Sequence, residues 1–400
     1  MRLYGPSAVE RAMKVQDVLL RAMSGQLKWV QAADILGWSP RTVRRWRRRY
    51  EQRGYDGLLD RRRGRPSPRR APLAEVERLL HLYRERYGGF NVRHFHQIAQ
   101  REHRVTLSYS FTRLALQGAG LVKKRRPRGR HFQRREPRAC FGELLHVDGS
   151  PHVWLALEST HRQTMLTVVD DATSRLLYAQ LVEAETTETV MRALGEVLRA
   201  HGLPMALYTD RAGWAFVTRP AGGKVDPTRL TQVGRALKQL GVEHIPAYSP
   251  QARGRSERLN RTLQDRLVNE LRVAGIRTVP AANAYLRTTY LPRHNAQFAR
   301  PPREAAAAFV PLGAVDLEQI LCHEEERTVG NDNTVVLDGV RLQVAKQPGR
   351  ATCAGLRVLV RRHLDTTYTI WRGTQRVTQA GRSGQKRSDH VSNAAVNFIC

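Results

Sequence analysis

The hydrophobic period of the chain changes at residue 142, and the order of periods that follows leaves few folds open. Residues 143–150, ELLHVDGS, read as a short strand carrying Asp148. Residues 164–169, TMLTVV, are β-branched and apolar and run into the turn Asp170-Asp171-Ala172-Thr173, after which 175–182 return as a third strand. Short turns between such runs predict an antiparallel meander. Residues 186–201 switch to a helical period, with Val190, Leu194, Val197 and Leu198 on one side. A strand at 205–208 then ends at Asp210, a helix spans 230–240 and a fifth strand spans 242–245. Beyond the loop 249–254, a helix over 255–273 repeats leucine at 259, 263, 267 and 271, a stripe that must face a core.

The order β-β-β-α-β-α-β-α predicts a mixed five-stranded sheet flanked by helices, the ribonuclease H-like α/β arrangement. In that fold Asp148 lies on the first strand and Asp210 ends the fourth, and neighbouring strand ends bring carboxylates together. Glu257 sits in the first turn of the last helix; Asn260, Arg261 and Gln264 share its polar face at i+3, i+4 and i+7. Glu243 and Glu270 compete for the third place, but only Glu257 follows a glycine-containing loop at a helix start. Three carboxylates at one point repel unless cations hold them. Two Mg²⁺ (or Mn²⁺) ions about 4 Å apart meet that need and suit phosphodiester chemistry. Hard oxygen donors without clustered Cys or His disfavour zinc. Asp170 and Asp171 are read as turn residues bonding their own backbone. His146, two residues before Asp148, points to the same sheet face.

Charge divides the chain. Residues 1–138 carry 34 basic and 11 acidic side chains, a net +23, whereas 139–400 carry 33 and 25, a net +8. A total of +31 needs a polyanion, and nucleic acid fits best. No run of 18 apolar residues exists, which rules out a membrane span, no membrane partner is expected, and the first ten residues lack the apolar core of a secretion signal. Four scattered cysteines suit neither a zinc site nor a disulfide-stapled fold.

The basic residues alternate with apolar helical patterns. Leu27, Val30, Ala33 and Leu36 mark one helix, Gly37 stops it, and Ser39-Pro40 starts another that runs to Arg53. The second carries Val43, Trp46 and Tyr50 on one stripe and Arg41, Arg44, Arg45, Arg47, Arg48 and Arg49 elsewhere, a helix-turn-helix pattern with a DNA-facing second helix. Arg41, Arg44, Arg45 and Arg48 are the candidate contacts. Helical runs at 74–87, 94–102 and 108–117 predict a second such module, followed by Lys123, Lys124, Arg125 and Arg126 as a basic linker. His94, His96 and His103 fit no closed zinc spacing and are expected on the surface or facing DNA.

HVDGSPHVW, VVDDATSRL, LYTDRAG and SPQARGRSERLNRTLQDRLVNEL together resemble the DDE transposases of bacterial insertion sequences, in the retroviral-integrase superfamily and nearest the ISNCY-type group. The likeness covers about residues 20–310. It implies that Asp148, Asp210 and Glu257 are the catalytic and metal-binding triad, and that Arg253, Arg255, Asn260, Arg261 and Gln264 meet DNA. It also implies terminal inverted repeats and target DNA as partners, a homo-oligomer on DNA, and a place in the bacterial cytoplasm with the nucleoid. Forty-six residues separate Asp210 from Glu257, more than in many integrases, and the excess is read as a loop insertion at 211–229.

Short β-rich runs at 327–329, 333–337, 340–344, 356–360 and 367–371, parted by Gly330-Asn331-Asp332 and Asp338-Gly339, predict a small C-terminal β-barrel. The expected organisation is therefore multidomain: 1–70 and 71–137 all-α helix-turn-helix modules with basic linkers, 138–310 the catalytic core, 311–371 the barrel, and 372–400 a mobile tail. The function expected is DNA transposition by metal-dependent strand cleavage and strand transfer. The alternative is a catalytically inactive transposase relic acting as a DNA-binding regulator.

Overall fold

The computed structural model describes residues 4–60, 70–124, 136–158, 161–218, 223–248 and 250–377. The chain divides into two compact units, Met1–Arg78 and Leu79–Cys400.

The first unit contains helices α1 (Pro6–Met23), α2 (Trp29–Leu36) and α3 (Pro40–Arg53), followed by a 3-10 turn at Gly54–Leu58. Gly37 ends α2 at φ +64°, a left-handed conformation that glycine adopts without a Cβ clash. Ser39 caps α3, its Oγ accepting the Thr42 N–H at 3.3 Å, with Pro40 at the first helical position. Ala33 is buried where the helices cross, against Ala12, Val15, Leu19, Val43 and Leu58. α1, which no sequence pattern above predicts, supplies half of this core.

In the second unit, α5 (Val92–His103) and α6 (Tyr109–Gly118) follow the helix α4 (Leu73–Glu85). Tyr83, Tyr87, Phe90 and Phe95 are buried together, with Tyr83 edge-on to Phe95 at 5.0 Å. The expectation of surface or DNA-facing histidines fails here. His94 and His96 are buried; His96 Nε2 bonds the Leu107 carbonyl at 2.9 Å and His94 Nε2 meets Glu270 Oε1 at 2.8 Å. Polar tips on an apolar face are buried when a partner satisfies them.

The sheet comprises β1 (Leu144–His152), β2 (Gln163–Asp170), β3 (Leu176–Val182), β4 (Ala206–Thr209) and β5 (Glu243–Pro246) in the order β3-β2-β1-β4-β5. β1 to β3 form the antiparallel meander; β4 lies parallel to β1, and β5 parallel to β4. Leu145, Val147, Leu166, Val168 and Leu207 pack on one face against α7 (Thr187–His201) and α8 (Gln232–Gln239). Met165, Val169, Leu181 and the 259-263-267-271 leucine stripe of α9 (Pro250–Val273) pack on the other. α9 begins five residues before the expected start at 255. α10 (Val279–Tyr285) and α11 (Leu291–Phe298), joined by a π-helical turn at Leu286–Tyr290, cover the edge strand β3. Asn283 brackets Leu181, and Asn295 brackets Leu176, each side chain both accepting from the backbone N–H and donating to the carbonyl. These amides satisfy strand groups that otherwise await another chain.

After the short helix α12 (Leu317–Ile320), strands β6 (His323–Thr328), β9 (Arg357–Arg362), β10 (Tyr368–Arg372) and β11 (Gln375–Arg376) form an open sheet. β7 (Thr334–Leu337) and β8 (Val340–Gln343) pair only with each other, around Asp338-Gly339. Among the described residues no sheet closes, so the expected barrel is corrected to an open sheet plus a hairpin over a shared apolar core. Turn residues specify a hairpin but say nothing of closure. Residues 378–400, most of the expected tail, lie outside the described residues. Among those described, no helix is long and apolar enough to cross a membrane.

Candidate active site

β1 sends Leu145 and Val147 to the α7 face, so His146, Asp148 and Ser150 face α9. β1 pairs with β4 in parallel through His146 and Tyr208, whose rings lie 5.2 Å apart. Two residues further along each chain stand Asp148 and Asp210. Asp148 therefore lies mid-strand in β1 on the face that α9 crosses, and Asp210 follows the last residue of the neighbouring strand β4.

Asp148 is buried, and its Oδ2 accepts Asn260 Nδ2 at 2.8 Å. One turn on, Gln264 Nε2 donates to Ser150 Oγ at 3.1 Å. Asp210 is half-buried and its Oδ1 accepts the Ala212 N–H at 3.0 Å. Thr209 beneath it accepts from His244 Nε2 at 3.0 Å while donating to the Asp210 carbonyl at 2.9 Å. His244 stacks on Phe216 at 4.0 Å, and burial pulls its pKa down to about 4.

Glu257 lies on α9 one turn before Asn260, and its side chain is exposed. Among the described residues, no three His, Cys, Asp or Glu side chains stand together as an ion-holding group. The structure thus joins Asn260 to Asp148 and Gln264 to Ser150, sets Asp210 after the neighbouring strand, and leaves Glu257 and Arg261 at the exposed surface of α9. Arg255 does not extend to solvent: its side chain is 14% exposed and its Nε lies 2.9 Å from Asp171 Oδ1. The Arg253 side chain lies outside the described residues, as do Arg125 and Arg126; Lys123 and Lys124 are exposed. In the first unit Arg41, Arg44, Arg45 and Arg48 are exposed on α3, whereas Arg47 bonds Glu51 at 2.6 Å and lies over the Trp29 ring.

The paired turn aspartates have different fates. Asp170 is the expected turn residue: Oδ2 accepts the Thr173 N–H at 2.7 Å and its hydroxyl at 2.6 Å. Burial raises its pKa despite these bonds and that from Gly142. Asp171 instead bonds His146 Nε2 at 2.8 Å and the Arg138 N–H at 2.7 Å. Burial opposes its charge, but those bonds and Arg255 outweigh it and hold the carboxyl well below the ordinary range. The sequence favours a turn role for Asp171, because its true partners are distant in the chain. Sequence reasoning also misses Glu185. A Cβ at Gly149 would meet Glu185 Oε2 at 2.4 Å, so glycine there admits a carboxylate beside the residue after Asp148.

Residues 16–75 match the winged helix-turn helix family. A Sinorhizobium fredii (strain NBRC 101917 / NGR234) protein named as a transposase, y4bF, is 32% identical over 397 residues, spanning 96% of this chain and 86% of that protein. The chain belongs to this transposase family. The transposase for insertion sequence IS1202 of Streptococcus pneumoniae is 37% identical to this transposase over 163 residues, 40% of this chain and 34% of that protein. Among solved structures, the HTLV-2 integrase catalytic core domain in complex with magnesium is 14% identical at TM-score 0.28, covering 37% of this chain and 85% of that one. The simian T-cell lymphotropic virus intasome is 13% identical at TM-score 0.32, covering 76% of this chain and all of that one. Those scores are low, and the sheet order of this transposase, not superposition, describes its core.

The transposase's donors suit a hard divalent ion. Asp148 on β1 and Asp210 just after β4 belong to adjacent strands, and beside Asp148 the Asn260 Oδ1 is buried with no hydrogen-bond partner in the structure. Carboxylate and amide oxygens are Mg²⁺ and Mn²⁺ ligands, and no thiolate or imidazole set competes among the described residues.

Proposed function

We propose that the chain is a DDE-type polynucleotidyl transferase that binds the terminal inverted repeats of its element, cleaves DNA strands there and transfers them into target DNA. The observation that supports this reading most is that Asp148 and Asp210 each stand two residues beyond the paired His146 and Tyr208 of the adjacent parallel strands β1 and β4. Asp148, Asp210 and Glu257 are the catalytic carboxylates and would hold two Mg²⁺ or Mn²⁺ ions. Bound there, the ions would neutralise the carboxylates, activate the attacking oxygen and stabilise the leaving one.

The chain's own residues prepare that site. Asn260 fixes the rotamer of Asp148, and the Ala212 N–H fixes that of Asp210. In cleavage, water attacks the phosphorus and the bond to the 3′ oxygen breaks, leaving a 3′-hydroxyl. In transfer, that hydroxyl attacks a target phosphodiester, so one phosphodiester bond forms as another breaks. Exposed Arg41, Arg44, Arg45 and Arg48 would read terminal DNA, with Lys123, Lys124 and Arg261 as further contacts. The working divisions are 1–70, 71–137, 138–310, 311–371 and 372–400, and the active species is a homo-oligomer on DNA.

An oligonucleotide carrying the element's terminus tests this. The full chain should nick it at the 3′ end of the transferred strand with Mg²⁺ or Mn²⁺ and not in EDTA. Full activity in EDTA would end the metal-site reading. The exposure of Glu257 favours a second reading, a relic that binds DNA without cutting; specific binding with no cleavage in Mn²⁺ would select it.

A further inference from the structure

Asp171 is fully buried in the β2–β3 turn and gathers three distant parts of the second unit. Its Oδ1 faces His146 Nε2 at 2.8 Å and Arg255 Nε at 2.9 Å, and its Oδ2 accepts the Arg138 N–H at 2.7 Å. Arg255 also donates Nη1 to Ser174 Oγ at 2.7 Å. Closing the core does not require this network: the leucines of α9 already do so, and apolar side chains of similar volume commonly serve as well as a buried ion pair.

What the network does is geometric. His146 stands two residues before Asp148 and packs on Tyr208, two before Asp210. Arg255 stands two residues before Glu257, and Asn260, bonded to Asp148, stands three after it. Glu257 is thus bracketed on α9 by two anchored side chains. A guanidinium engaging Asp171 with one nitrogen and Ser174 with another fixes both rotation and axial position of the helix, which a point charge cannot do.

We propose that Arg255 is a positioning residue, held by Asp171 and Ser174, that fixes the segment of α9 carrying Glu257 so that Glu257 serves the Asp148–Asp210 pair. This rests on the catalytic reading above, and it replaces a DNA contact as the role of Arg255, whose side chain has little exposed surface to offer a phosphate.

The test uses the full-length chain with an oligonucleotide carrying the element's end, and the variants Arg255→Met, Arg255→Lys and Ser174→Ala. Three quantities are read: DNA affinity, single-turnover cleavage at saturating DNA, and Mn²⁺ affinity from the paramagnetic resonance of the free ion. Arg255→Met should keep DNA affinity within about threefold, because no phosphate contact is lost. Its cleavage rate should fall about a hundredfold through misplacement, and its Mn²⁺ affinity about tenfold through a loosened supporting shell. Arg255→Lys should recover part of both losses, and Ser174→Ala, which leaves Asp171 paired, should show the same pattern more weakly. If Arg255→Met does not fold, the other two variants decide. Unchanged cleavage and Mn²⁺ affinity, or a loss confined to DNA affinity, overturns the proposal. A wild-type chain that never cleaves in Mn²⁺ overturns the catalytic reading instead; an active wild type with an inactive Asp148→Asn and an unaffected Arg255→Met overturns the positioning role alone.

Discussion

Asn260 donates its Nδ2 to Oδ2 of Asp148 across 2.8 Å, joining the long helix to the first strand at a carboxylate proposed as catalytic. The bond fixes a carboxylate rotamer, and the amide's other atom, Oδ1, is buried without a partner. Asn260→Ala should therefore reduce cleavage by about 10- to 100-fold, the usual cost of losing a group that orients a metal ligand. Asn260→Asp should be worse, because a second carboxylate would repel the first. Single-turnover cleavage at saturating DNA measures both; loss of DNA affinity alone would make Asn260 a DNA contact only.

Asp148→Asn and Asp210→Asn should each lower cleavage by roughly a thousandfold or more while sparing terminal DNA binding, since a neutral amide removes a metal-binding charge. Glu257→Gln should do the same. Wild-type-like cleavage by any of the three removes that residue from the triad.

The sequence made the succession of strands and helices and the strand positions of both aspartates legible because period-2 and period-3.6 patterns alternate cleanly from 143 to 273. The cap at Ser39 and the stop at Gly37 were legible for the same local reason. The rest depended on distance in the chain. Asn295 reaches back 119 residues to Leu176, and His94 reaches 176 residues forward to Glu270, so no local pattern announces either. His94 looked like a surface histidine because its satisfying carboxylate lies on a different helix. The family resemblance implies a DNA contact at Arg255, and only the fold reveals the buried Asp171 beside it.

Arg44 and Arg48 lie one turn apart and are exposed on α3. Replacing both with alanine should weaken binding to terminal DNA and reduce the slope of log K against log salt by about one to two. Arg47→Ala should leave that slope nearly unchanged, because Arg47 is held by Glu51 and Trp29. Equal slopes for the double variant and the wild type would remove α3 from the DNA interface.

Asn283→Ala and Asn295→Ala each strip one N–H and one carbonyl of β3 of their partners. Each should cost about 1–3 kcal/mol of unfolding free energy in urea, the penalty of an unsatisfied polar group. The exposed edge should also promote association at high concentration, visible by light scattering. Unchanged stability in both variants would show that water replaces the amides freely.

Stability should fall as the solution is acidified through the histidine range. Burial holds His294 at a pKa of about 4, with Arg266 adding to the effect and Glu270 opposing it, and burial alone holds His244 at about 4. Unfolded, each returns to about 6.5. Between those values the unfolded chain binds protons that the folded chain refuses, so the stabilisation is complete above pH 6.5 and declines towards pH 4. The loss is on the order of 3 kcal/mol per histidine at its fullest. Asp171 acts in a separate window: its pKa is lowered from 3.8, so its share is present above that value and is lost only below it. Urea unfolding at pH 7.5, 5.5 and 4.5 reads the histidine window. His294→Phe, which keeps an aromatic ring between Tyr290 and Phe298, should remove close to half of the slope. A wild type equally stable at all three values, or a variant with the wild-type slope, would mean that these imidazoles gain protons without unfolding the chain.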